Sequence, residues 1–374
     1  MTRLRRICLA LLLALVPLAL LPLAPRSVSA TPTADRTSAA AVPLLAYYYI
    51  WYDTRSWDRA KDDYPELGRY SSDDPAVMAS HVEMAKQAGI DGFIVSWKST
   101  PTLNRRLEQL AGIATANGLK LALIYEGLDF HRNPLPVERV QRDLTEAADR
   151  YTSAPAFDIF DRPLVIWSGT WRFSAADIAK VARPLRDRLL ILGSERNPEG
   201  VRRLAGVVGG DAYYWSSGDP QRTPGYRQKL AAMGELVHDQ GGIWIAPAAA
   251  GFDARKLGGS RVVERRDGAT LLDSLSAAMT TAPDAIGLIS WNEFSESSHV
   301  EPSQRYGRRY LDALTSLRRE PGSGTAGTTD FASDEPGGGD DNPWRLLLLG
   351  SLLLGGVGCA AVVVRRASRR KSVT

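Results

Sequence analysis

Two glutamates three residues apart, Glu293 and Glu296, stand in the stretch Trp291-Asn292-Glu293-Phe294-Ser295-Glu296, directly after an apolar run. Cleaving a glycosidic bond commonly needs two carboxyl groups, one to protonate the leaving oxygen and one to act on the other side of the sugar. A spacing of three just past a buried strand can aim both into one pocket, where proximity and burial would push their pKa values apart. Spacing alone describes a pair of solvated loop acids equally well.

Other chemistries find little support. The four histidines show no ligand-like spacing, and no His/Asp/Glu cluster does either, so no metal and no cofactor are expected. His81 falls on an expected helix as a packing or surface residue, and His131 and His238 lie in a loop and on a helix. His299 is near enough to the acidic stretch to reach a substrate. No G-x-S-x-G elbow is present to carry a serine nucleophile, and no glycine-rich phosphate loop follows the first strand. The two cysteines, Cys8 and Cys359, lie in the terminal apolar segments, so the region between has no thiol for a disulfide, a zinc site or a nucleophile.

The elements that must position the acids form a regular series. Short runs rich in Val, Ile, Tyr and Trp at 44–50, 92–97, 119–125, 163–167, 189–192, 210–215, 242–246 and 286–290 alternate with segments of helical character at 76–88, 103–117, 137–151, 175–182, 225–240, 268–280 and 304–317. Asp74-Pro75 and Ser174 read as helix starts, Gly89 and Gly118 as stops. Eight strands, with helical segments between most of them, in about 275 residues predict an α/β fold, a (β/α)8 TIM barrel over 43–319. A doubly wound open sheet is the alternative. In a barrel the working face lies at the C-terminal strand ends. There the sequence places Trp51 and Tyr52, then Trp97 and Lys98, then Glu126 and Asp129, then Tyr214 and Trp215, then Phe252 and Asp253, and last Asn292 with the two glutamates. Aromatic platforms with carboxylates suit a sugar better than a phosphate.

The whole chain has 374 residues, a formal charge of +4 and a pI near 9.0. That basic balance belongs to the ends. Ten Lys and Arg fall within 1–30 and 344–374, which hold no acid, leaving 36 Lys and Arg against 42 Asp and Glu, or −6, in 31–343. No clustered basic face is visible, so nucleic acid is not an expected partner. Residues 1–30 have a charged start, an apolar run and the small residues Val28-Ser29-Ala30, and are expected to be a signal peptide. A spacer over 31–42 follows. The Gly- and Asp-rich segment 320–343 is expected to be a disordered stalk, 344–364 a single transmembrane helix, and 365–374 a basic cytoplasmic tail. These expectations put the barrel outside a cell membrane, anchored by the C-terminal helix. The oligomeric state stays open.

At the residues quoted above the chain resembles glycoside hydrolase family 99, the endo-α-mannosidases and endo-α-1,2-mannanases, as a divergent member. Tyr48-Tyr49-Ile50-Trp51-Tyr52 is similar to its first-strand aromatic motif, and Tyr64-Pro65-Glu66-Leu67-Gly68-Arg69-Tyr70-Ser71-Ser72, Asp74-Pro75, His81 and Gly92 to Trp97 follow in its order. Trp291 to Glu296 with Val300-Glu301-Pro302 resembles its acidic motif, NEWHEG-x-x-IEP. The resemblance implies a retaining, metal-free endo-glycosidase acting on an α-linked, mannose-containing polysaccharide or glycan. It implies that Glu293 takes the proton of the sugar 2-hydroxyl and that Glu296 is the general acid and base. Tyr49, Trp51, Tyr52, Trp97, Lys98, Glu126, Tyr214, Trp215 and Asn292 are then the candidate substrate contacts. Where the motif has tryptophan, histidine and glycine this chain has Phe294, Ser295 and Ser297, and Lys98 replaces an aromatic. Those changes keep two other readings open, a non-catalytic surface carbohydrate-binding protein and a polysaccharide-biosynthesis glycosyltransferase.

Overall fold

The computed structural model describes residues 42–59 and 61–319. The expected signal peptide, all but the last residue of the spacer, the stalk, the membrane helix and the tail lie outside the described residues. Among the described residues no helix is long and apolar enough to cross a membrane.

Eight parallel strands make one sheet: β1 (Leu44–Tyr49), β2 (Gly92–Trp97), β3 (Lys120–Glu126), β4 (Leu164–Ser168), β5 (Leu190–Leu192), β6 (Gly210–Ala212), β7 (Ile243–Ala249) and, after a small antiparallel hairpin of β8 (Phe252–Asp253) and β9 (Val262–Val263), β10 (Ala285–Ile289). The order is β5-β4-β3-β2-β1-β10-β7-β6. The two ends meet through one bridge, Gly193 to Asp211, where the Gly193 N–H reaches the Gly210 carbonyl at 3.0 Å. The sheet is thereby a closed (β/α)8 barrel, as the alternation of runs predicts.

Successive strand residues point to opposite faces, and the two faces feed two cores. Leu44, Ala46, Tyr48 and Ile50 pack outward with helix residues such as Met78, Val82 and Leu107. Leu45, Tyr47 and Tyr49 pack inward with Ile94, Ile124, Ile166 and Leu192. Strands buried on both faces favour apolar residues at nearly every position, which is why most were legible as continuous runs. Gly287 leaves the space that Tyr47 fills, since a Cβ there would stand 2.9 Å from the tyrosine ring. Each such buried large side chain contributes about 1.5–3 kcal/mol relative to exposure.

The outer layer is α1 (Pro75–Gln87), α2 (Pro101–Asn117), α3 (Val137–Arg150), α4 (Ala175–Leu185), α5 (Pro198–Arg203), α6 (Tyr226–Asp239), α7 (Ala269–Met279) and α8 (Arg309–Arg319). Asp74 and Ser174 cap α1 and α4 as expected, accepting from the Ala76 and Asp177 N–H groups, and Gly118 ends α2 in the left-handed region at φ 68°. Two boundaries differ from expectation. β6 ends at Ala212, so Tyr213, Tyr214 and Trp215 leave the sheet as a loop. β7 runs through Pro247 to Ala249, because β6 stops opposite Ile245 and beyond it β7 pairs only with β10. The short α5 was not expected; six residues are too few to show a helical period.

Candidate active site

A cleft of about 780 Å³ opens at the C-terminal ends of the strands. Tyr49 and Trp51 come to it from β1, Glu126 from β3, Tyr214 and Trp215 from the loop after β6, and Glu293 and Glu296 from the loop after β10.

That last loop is fixed by polar groups without solvent access. Asn292 is fully buried, and its Oδ1 accepts the Tyr49 N–H at 2.8 Å while its Nδ2 donates to the Tyr49 carbonyl at 2.9 Å and to Tyr70 Oη at 3.2 Å. Tyr52 Oη donates to the Asn292 carbonyl at 2.7 Å. Tyr70 in turn donates to Glu301 at 2.9 Å, and the other Glu301 oxygen meets His81 Nε2 at 3.0 Å, with His81 Nδ1 2.9 Å from Tyr48 Oη. The Glu293 N–H is held by Ser290 Oγ at 2.8 Å. In a low-dielectric interior such a network is rigid when every member is paired. The Tyr64–Ser72 segment, His81 and Glu301-Pro302, which resembled family motifs, serve this scaffold.

The two carboxyls differ in their surroundings. Burial pushes Glu293 above the usual carboxylate range, opposed by the Ser295 N–H, which donates to its Oε1 at 2.9 Å, and by the positive charge of Lys61. Burial also raises Glu296, and the negative charge of Glu293 raises it further, against a weaker pull from Arg132. Glu296 Oε2 is buried with no hydrogen-bond partner among the described residues. Beside them Tyr49 and Tyr214 share a hydrogen bond of 2.7 Å. Burial, followed by the nearby phenol and carboxylate charges, keeps both phenols protonated. Glu126, also raised by burial, accepts from Ser96 Oγ at 2.9 Å. Trp51 is 42% exposed with its ring centre 4.4 Å from that of Tyr49, an open aromatic face at the cleft.

Tyr49, Trp51, Glu126, Tyr214 and Trp215 are therefore brought together with the glutamate pair. Tyr52, Trp97, Lys98 and Asn292, expected as substrate contacts, do not line this cleft. Tyr52 stacks on Trp57 at 4.5 Å, and Asn292 is spent on the backbone of Tyr49. Trp97 faces the outer core with Phe93 and Val95, its Nε1 donating to Asn104 at 2.9 Å. Lys98 donates to the Leu128 carbonyl at 2.6 Å beneath the fully exposed Phe130 ring. His299 is buried between Phe294, stacked at 4.0 Å, and Asp63 at 3.1 Å, and burial pushes it down to about 4. Asp129 and Asp253 hold turns of their own loops.

The motif departures sit behind the cleft as well. Phe294 is 1% exposed against Trp57 and His299. Ser297 occupies φ 48°, a left-handed position that suits the glycine of the motif. Sequence reasoning missed Arg132, Trp171, Glu195, Arg196 and Lys229, all of which line the cleft. Trp171 and Glu195 follow β4 and β5, so the rule of inspecting strand C-termini would have found them had it been applied to those two strands.

The family described as Glycosyl hydrolase family 99 matches residues 46–316. The glycoprotein endo-alpha-1,2-mannosidase-like protein of Danio rerio is 23% identical over 288 residues, and the glycoprotein endo-alpha-1,2-mannosidase of Xenopus laevis 22% identical over 286. These alignments cover 68% and 67% of this chain but 63% and 61% of the relatives, so the chain spans less than two thirds of their length. Among solved structures, the family 99 endo-alpha-mannosidase of Bacteroides thetaiotaomicron superposes with a TM-score of 0.65 at 19% identity, covering 74% of this chain and 96% of that one. A glycoside hydrolase-like protein follows at 0.59 and 15%, covering 74% and 93%. At such identities the likeness to these structures shows the fold.

Proposed function

The chain belongs to glycosyl hydrolase family 99, and from that membership we propose that it hydrolyses an α-linked, mannose-containing glycan with retention of configuration. The observation that carries the reading is the unequal environment of the two glutamates. Glu293 has an N–H donor on its oxygen and a lysine charge nearby, so it ionises first and suits a base. Glu296 feels the charge of Glu293, keeps its proton to higher pH, and has an oxygen with no partner among the described residues, so it suits an acid.

In this reading Glu293 removes the proton of the sugar 2-hydroxyl as that oxygen attacks C1. The bond from C1 to the leaving oxygen breaks, and Glu296 delivers its proton to that oxygen. Water then opens the 1,2-anhydro sugar at C1, giving its proton to Glu296 while Glu293 returns its own to O2. Trp51 offers a face for a sugar ring, and Glu126 accepts from a hydroxyl. We also propose, from the composition of 1–30 and 344–374 alone, that the barrel works outside a membrane to which the C-terminal segment ties it.

The test is incubation of the purified chain with α-mannans and α-glucans beside Glu293→Gln and Glu296→Gln. The expected result is a mannan product of retained configuration from the parent and none from either variant. Equal binding by all three with no product from the parent would overturn the hydrolase.

A further inference from the structure

Glu293 and Glu296 share a loop but are held from different sides. The Glu293 N–H meets Ser290 Oγ, and Asn292 beside it binds the backbone of Tyr49. Glu296 is held from the β8–β9 hairpin, where the Asp253 N–H donates to the Glu296 carbonyl at 2.7 Å. Arg265, two residues past β9 and 7% exposed, donates from Nη2 to the Ser297 carbonyl at 2.9 Å and to the His299 carbonyl at 2.8 Å. The same nitrogen stands 3.4 Å from His299 Nδ1. Burial keeps that ring neutral, and with Nε2 toward Asp63 its Nδ1 is left to accept. The guanidinium carbon lies 4.5 and 4.7 Å from the ring centres of Tyr306 and Tyr310, whose π systems attract its charge. Gly251 leaves room for the stem, since a Cβ there would stand 2.5 Å from Arg265 Cγ.

The turn after Glu296 needs support from outside the loop. Ser297 sits at φ 48°, in the left-handed region that residues with a Cβ seldom adopt, and Arg265 grips the carbonyl of that same residue. Glu293 has the Ser295 N–H on its carboxyl, but Glu296 Oε2 has no hydrogen-bond partner among the described residues. The aim of the Glu296 carboxyl therefore depends on the backbone beneath it. We propose that Arg265 is a positioning residue for Glu296, fixing the backbone from which the general acid reaches the leaving oxygen. Arg265 does not line the cleft and so acts through Glu296 alone. The proposal rests on the reading of Glu296 as the acid, and adds the residue that aims it.

A leaving group that departs as a stable anion needs no proton, whereas a sugar hydroxyl does. Attack by the 2-hydroxyl needs its base in both cases. The experiment therefore measures kcat/KM of the full chain on α-1,2-mannotriose and on α-1,2-mannobiosyl fluoride, which share the glycosyl group and differ in what leaves. Arg265→Met is expected to lower kcat/KM about a hundredfold on the triose and less than about threefold on the fluoride. The retained fluoride rate shows that the variant is folded. Glu296→Gln should give the same pattern, while Glu293→Gln should lower both rates. Should Arg265→Met fail to fold, Arg265→Lys, which keeps a buried cation but not the planar group, carries the same test. Equal loss on both substrates, or loss on neither, would overturn the proposal. Failure of the hydrolase reading appears separately, as a parent chain that releases neither fluoride above the uncatalysed rate nor mannobiose.

Discussion

Asn292 and Tyr49, 243 positions apart in the chain, close a two-bond ring: the asparagine accepts the tyrosine N–H at 2.8 Å and donates to its carbonyl at 2.9 Å. This ring fixes the loop carrying Glu293 against the end of β1, where Tyr49 begins its contact with Tyr214. Asn292→Ala leaves both backbone groups of Tyr49 buried and unpaired, at about 1–3 kcal/mol each. The expected outcome is a lower Tm together with a fall in kcat at nearly constant KM, since the ring positions a carboxyl and does not touch substrate. A variant with full kcat would show that the loop holds itself.

The carboxyl pair sets the pH profile. In the proposed mechanism Glu293 acts ionised and Glu296 protonated, and burial raises both above the ordinary carboxylate range. Both limbs of the kcat/KM profile are therefore expected at higher pH than free glutamates would give. Limbs at ordinary carboxylate values would contradict the burial that the structure shows.

The same shift has a cost in stability. A carboxyl whose folded pKa lies above its unfolded value does not affect stability while both states are protonated. It destabilises the fold as pH rises through that window, because the unfolded chain ionises first. Glu296→Gln removes the penalty. Thermal unfolding should show the variant more stable than the parent at neutral and alkaline pH, by roughly 2–4 °C for each kcal/mol gained, and equal to it at acid pH. The reverse ordering would mean that Glu296 is solvated.

Trp51 is an exposed platform, so its loss should be felt by the substrate and not by the fold. Trp51→Ala is expected to raise KM by about two- to tenfold, in keeping with the worth of one aromatic contact, with Tm unchanged. An unchanged KM would remove Trp51 from the substrate path.

His81 is buried between Tyr48 and Glu301, with no route to the cleft. His81→Ala orphans both partners and should cost about 2–5 kcal/mol of stability, read as a lowered denaturant midpoint with an unchanged m-value. Loss of turnover in a variant of native stability would instead give His81 a chemical part.

The strands were legible because a parallel strand covered on both faces has few polar positions to blur its run, Ser96 and Asp211 being exceptions, and the barrel followed from their number. The glutamate pair and the aromatics at strand ends were legible for the same reason, since strand ends define the mouth. Which end residues face the mouth was decided by parity. Phe93, Val95 and Trp97 share the outward face, and Ser96, on the inward face, is the residue that holds Glu126. Applying that alternation would have moved Trp97 off the cleft. Beyond the strand the period of two is lost, so nothing local distinguished Asn292, which turns back to the backbone, from Glu293 beside it. Arg132 was hidden differently, by a left-handed turn at φ 65° that only the folded loop specifies.

The single bridge between Gly193 and Asp211 makes the seam between β5 and β6 the most thinly paired in the closed barrel. β5 and β6 are the shortest of its strands, three residues each, whereas β10, which leads to the glutamates, is paired on both sides. A closed ring yields first where it is most thinly paired. Breathing motions, and the exchange of amide hydrogens that reports them, should begin at that seam. The barrel thus has a compliant edge beneath Glu195, Arg196 and Tyr213 and a stiff one beneath Glu293. Opening at the first would leave the alignment held at the second undisturbed.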